Sequence, residues 1–220
     1  MDSPAVAVPA KHEGHSVGFN LALIALVVAA VGLGLAYAID AAGRSVREGP
    51  SGTLTRTLGG KELEIPANWF REDALRAEGF AKQVELAVSL PLGPNASKRS
   101  IDITLMPRSR ARPSASLLDG VYLHQFMPEQ LSGPPGLVGK PLIAEAGFEN
   151  EIVWYDALSS NPFVAKCLAP LVDGQPGRCI RTVYLGPGIA AVYSFDEDVL
   201  ANWKRFDPEL EALLKQIGAL

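Results

Sequence analysis

VELAVSLPLGPNASKRSIDITLM, residues 84–106, decides the fold class. In its first seven residues Val84, Leu86, Val88 and Leu90 alternate with Glu85, Ala87 and Ser89. A period of two is the pattern of a strand with one buried and one wet face. The pattern returns over 101–106, with Ile101, Ile103 and Leu105 inward and Asp102 and Thr104 outward. The polar stretch LGPNASKR joins the two, which makes them antiparallel neighbours. Within it Asn95-Ala96-Ser97 has the form of a glycosylation sequon, which carries meaning only in a secretory lumen.

Working outward from this pair, residues 53–58 and 61–65 flank Gly59-Gly60 and read as a hairpin. PANWF closes it, and an amphipathic helix is expected over 71–80. Beyond the loop PRSRARPSAS a helix is expected to start near Ser116, with Asp119 completing a capping box. Leu118, Val121, Tyr122 and Phe126 would share its buried face. Residues 127–141 are rich in Pro and Gly and read as a long loop. Strands are expected at 151–157, 163–169, 178–185 and 189–195, the last two joined by Gly186-Pro187-Gly188. Asp198 reads as the cap of a short helix through Trp203. Asp207-Pro208 reads as the N-cap and N1 pair of a closing helix striped by Leu210, Leu213, Leu214 and Ile217. The sum is an α+β domain over 53–220, an antiparallel twisted sheet with amphipathic helices covering one face.

Upstream, residues 17–39 read VGFNLALIALVVAAVGLGLAYAI, uncharged, with Asn20 the one strongly polar side chain. As a helix this stretch is about 34 Å long, enough for a hydrocarbon core of about 30 Å. It is apolar all round, where a soluble helix would keep one polar face. The expected organisation is a short polar tail at 1–16 and a single transmembrane anchor at 17–39. Residues 40–52 follow as a frayed helix end and juxtamembrane linker, stopped at Gly49-Pro50. Gly32, Gly34 and the alanines suit close helix packing, but small residues are common in any membrane helix. A cleaved signal peptide is the rival reading, because Ala36-Tyr37-Ala38 has the A-x-A form. The apolar run is longer than a signal core of about 7–15 residues, and only Lys11 precedes it; an anchor fits better.

The cysteines bear on the compartment. Cys167 and Cys179 flank DGQPG, and a hairpin centred on residue 173 sets them opposite each other. The same register places Ala165 opposite Arg181 and Phe163 opposite Val183. Facing cysteines on neighbouring strands meet the geometry of a disulfide, which belongs in an oxidising compartment. The plainer alternative is two buried thiols. Arg44, Arg47 and Arg56 follow the helix and favour a cytoplasmic domain, yet long domains cross largely regardless of charge. The expectation is a bacterial cytoplasmic membrane, since nothing resembles an organelle retention signal, with the C-terminal domain periplasmic.

Charge and motifs exclude more than they name. Setting aside Lys11, Asp2, Glu13 and Asp40 leaves 19 basic and 21 acidic side chains, a field that does not suit nucleic acid. His124, in VYLHQF, is the domain's one histidine and the base that an envelope hydrolase would need. No G-x-S-x-G accompanies it, and Ser114 and Ser116 read as loop or capping residues. His12 and His15 are too few for a metal site, and Asp196-Glu197-Asp198 lacks calcium-loop spacing. No glycine-rich phosphate loop with its lysine is present, and Trp69, Trp154 and Trp203 read as core or edge aromatics. Lys98, Arg99, Arg108, Arg110 and Arg112 bracket one strand, with Asp102 the only acid among them. They form a candidate anion-binding edge for lipid headgroups or another polyanion, or else a solvated loop. No catalytic residue and no cofactor is expected. The reading is a membrane-anchored, non-catalytic envelope protein that binds a protein or polymer, or a small subunit of a membrane complex. A hydrolase using His124 and a lipid- or polyanion-binding module using 108–112 are the alternatives.

Overall fold

The computed structural model describes residues 17–48, 52–71, 79–170, 174–186 and 188–220. The chain divides into two compact units, residues 1–49 and 50–220.

Among its described residues the first unit holds one helix, α1 (Val17–Glu48). Its segment Leu21–Ile39 is long and apolar enough to cross a membrane, and its side chains are exposed. A signal sequence near an N-terminus meets the same requirement. Residues 40–48, expected as a frayed end and linker, continue the helix instead. The described helix ends at Glu48, and the stop expected at Gly49-Pro50 lies outside the described residues.

The second unit is α+β and is built on two sheets. β1 (Thr53–Leu58) and β2 (Lys61–Pro66) form the expected hairpin, and β3 (Gly79–Phe80) joins β1 in parallel. The helix expected over 71–80 falls mostly on 72–78, outside the described residues. Its last two positions are strand: Gly79 has a φ of 87°, which no helix continues through, and Ala81 N–H donates to Thr57 O.

The larger sheet is antiparallel throughout, with strand order β4-β5-β10-β9-β8-β7-β6. Its members are β4 (Val84–Leu90), β5 (Arg99–Pro107), β6 (Val138–Pro141), β7 (Glu151–Tyr155), β8 (Val164–Leu168), β9 (Arg178–Leu185) and β10 (Ile189–Asp196). β4 and β5 pair as the alternation requires, with Leu86 opposite Ile103 and Val88 opposite Ile101, all buried. β6 corrects the loop reading of 127–141. Gly139 pairs with Trp154, and a Cβ at Gly139 or Gly133 would fall 2.4 or 2.1 Å from the indole. Those glycines make room for a ring; they do not mark a turn.

The helices start earlier than expected. α2 (Ser114–Gly120) follows Pro113, so Ser116 and Asp119 form no capping box, and Phe126 leaves the helix to bridge Leu142. α3 (Trp203–Gln216) begins ahead of Asp207, which is therefore no cap, and Pro208 lies inside it. The preceding 3-10 turn starts at Glu197 with Asp196 at its cap position, not Asp198. Phe206, Leu210, Leu214 and Ile217 join a core that includes Leu58, Ile65, Leu86, Ile103 and Phe195. A second cluster gathers Leu118, Tyr122, Leu142, Val153 and Val164. Cys167 and Cys179 pair across β8 and β9, buried, with their sulfurs at disulfide-bonding distance.

Candidate functional site

β8 and β9 pair only at Lys166–Ile180, Cys167–Cys179 and Leu168–Arg178. Beyond these the ladder expected between Ala165 and Arg181, and between Phe163 and Val183, does not form. β8 stays with β7 up to the Tyr155–Val164 pair, while β9 stays with β10 up to Leu185–Ile189. The sheet forks.

Buried backbone groups at such a fork must find other partners. Thr182 N–H donates to Ser114 Oγ at 2.8 Å, which places the first residue of α2 as a wedge. Val164 O accepts from Arg181 Nη1 at 3.2 Å. Arg181 occupies an inward position of β9, with only 7% of its side chain exposed. Its Nε and Nη2 donate to the two carboxylate oxygens of Asp207 at 2.9 and 2.5 Å, and its guanidinium lies 4.5 Å from the Phe163 ring centre. A forked pair of this kind balances the charge that burial would otherwise penalise.

Two depressions of about 250 Å³ each open beside β9 at the fork. The one on the α2 side is lined by Pro113, Ser116, Pro162 and Thr182, among others. The α3-side depression is lined by Tyr193, Asp207, Glu211 and Leu185. Asn161, Arg181, Val183 and Tyr184 belong to both. Tyr193 is 2% exposed, and its phenol makes no hydrogen bond among the described residues. Burial pushes its pKa up, Asp207 and Glu211 push it further, and Arg181 pulls it back. Tyr193 lines the α3-side depression, and its unbonded hydroxyl is not among the fully buried polar atoms of the domain, so the ring reaches that depression through its oxygen.

A third depression, about 460 Å³, is lined by Pro94, Gly133, Pro134, Trp154, Glu197, Asp198 and Leu200. Glu197 and one oxygen of Asp198 are engaged in holding the fold, while Asp198 Oδ1 is buried without a hydrogen-bond partner among the described residues. Trp154 Nε1 donates to Glu197 at 3.2 Å, and Arg99 Nε and Nη2 both donate to Asp198 Oδ2.

The residues singled out in the sequence do not converge. Lys98 and Arg99 lie at the start of β5, and Arg108, Arg110 and Arg112 follow its end, about 30 Å away at ~3.4 Å per residue. Arg99 is held by Asp198, Arg108 stacks 3.9 Å from the Tyr184 ring centre, and Arg110 donates to Lys82 O. Lys98 and Arg112 are exposed. His124 is exposed in the 3-10 turn Tyr122–His124, and no described serine or carboxylate hydrogen-bonds its ring. No cluster of three metal-ligating side chains occurs among the described residues. Ser114, read from sequence as a loop or capping residue, is the buried acceptor for Thr182. Arg181 and Tyr193 are not among the candidate site residues of the sequence; the signal for Arg181 is an arginine at an inward position of RCIRTVYL, in step with Cys179 and Leu185.

No family model, no curated protein and no solved structure matches this chain.

Proposed function

We propose that the chain is a single-pass protein of the bacterial cytoplasmic membrane, anchored by residues 17–39. Residues 53–220 are its periplasmic, non-catalytic binding domain, which holds a protein or polymer of the envelope, alone or as a small subunit of a membrane complex. α2 and α3 act as the amphipathic cover of its sheet. The observation that carries the reading is the fork between β8 and β9. There the sheet gives up its ladder, and solvent-open depressions gather amide, phenol, guanidinium and carboxylate groups, with no histidine in the lining beside the hydroxyls of Ser116 and Thr182. The cysteine pair supports an oxidising compartment once its bond is formed. The engagement of Arg108 with the Tyr184 ring and of Arg110 with Lys82 O counts against the polyanion alternative, and the isolation of His124 counts against a hydrolase.

Purification of tagged full-length chain in mild detergent tests this directly, beside an Asn161→Arg variant that fills the fork from an exposed position. A partner should co-purify with the unaltered chain and be lost from the variant. Equal retention on both would remove the fork as the binding site, and no retained partner after cross-linking would remove the binding reading.

A further inference from the structure

We infer that the α3-side depression of the fork receives one sugar residue of a neutral glycan. This rests on the reading above of the domain as a binding module, and it names the polymer.

The argument starts with charge. Asp207 is balanced by the forked bond from Arg181, Leu220 O at the rim accepts from Lys61 Nζ, and the remaining acidic side chain, Glu211, lies exposed on α3 without an ion pair among the described residues. An anionic ligand would meet both carboxylates. A cation would have Glu211 alone in its favour, with the Arg181 guanidinium beside it. A neutral ligand meets neither penalty.

Hydrogen-bonding capacity then selects among neutral ligands. Arg181 spends three bonds on Asp207 and Val164, leaving two of the five N–H groups of a guanidinium. The Tyr193 phenol is held neutral by burial, so it can both donate and accept. The side-chain amide of Asn161 offers both functions with no partner among the described residues, and the Asp207 and Glu211 carboxylates accept. Planar guanidinium, amide and carboxylate groups fit pairs of neighbouring hydroxyls, each of which also donates and accepts. Val183 and Leu185 supply an apolar wall for the C–H surface of a ring. A volume of about 250 Å³ lies below the range of drug-sized sites, so one ring fills it while the rest of a polymer runs out past Asn161.

Full-length chain in detergent micelles should be tested against neutral oligosaccharides of glucose, mannose and N-acetylglucosamine, with spermidine and polyglutamate as charged probes. At least one neutral oligosaccharide should bind with an affinity indifferent to salt. Tyr193→Phe keeps the ring and removes only the hydroxyl; it should weaken that binding about tenfold, the loss of one good hydrogen bond. Asn161→Arg should abolish it. Saccharide binding that ignores Tyr193→Phe would overturn the assignment, as would salt-dependent binding of either charged probe that Tyr193→Phe weakens. A panel without a binder overturns the glycan. If a protein still co-purifies in an Asn161-dependent way, the binding domain stands without it, and if nothing co-purifies both readings fall.

Discussion

Ser114 illustrates how much one small side chain contributes at the fork. Its hydroxyl takes the amide of Thr182, a residue 68 positions away, at a point where β8 has turned aside. Ser114→Ala keeps the backbone and deletes the acceptor, leaving a buried N–H without a partner. The expected cost is about 1–3 kcal/mol in urea unfolding, with the slope unchanged. A cost below about 0.5 kcal/mol would mean that water enters and that the wedge is dispensable. Arg181 answers the same need on the other branch, giving one N–H to Val164 O while Asp207 and Phe163 hold the rest of the guanidinium. Both side chains were visible in the sequence, but their roles depend on partners far along the chain. A local pattern gives serine after proline the look of a cap, and it shows Arg181 in step with the inward Cys179 and Leu185 without showing the Asp207 that makes an inward arginine tolerable.

At the scale of elements, what was legible was what is local. The alternation in 84–90 and 101–106 specifies one buried face, and the β4–β5 register follows from it. The β1–β2 and β9–β10 hairpins carry their turn glycines with them. β6 was hidden because Gly139 is where a neighbouring Trp154 lies across the strand, a reason for glycine that only the folded chain displays. The cysteine register was legible too, since equal spacing to either side of residue 173 sets Cys167 opposite Cys179. Its continuation to Arg181 and Val183 failed because the wedge from α2 competes for the same backbone groups. If the cysteines are bonded in the mature protein, thiol-blocked purification followed by mass measurement should find no alkylated cysteine. Replacing both with Ala should then cost about 3 kcal/mol, as expected for closing a loop with a separation of 12 residues. Two alkylated cysteines from the unreduced protein would contradict the bond and weaken the periplasmic assignment with it.

The described residues of the whole molecule form one helix with an apolar span and one α+β unit, and the proposed function needs both. α1 exposes Leu, Ile and Val on every side along Leu21–Ile39, which water tolerates poorly and hydrocarbon accepts. A helix that spans is held by that transfer and not by surface charge, so neither high salt nor high pH should release it. The most direct measurement is alkaline carbonate extraction of membranes carrying the full-length chain, with the N-terminus of the recovered protein sequenced. The account predicts that the chain stays in the membrane pellet with residues 17–39 intact. Release into the supernatant with that segment still attached, or a mature N-terminus at Ile39, would contradict it.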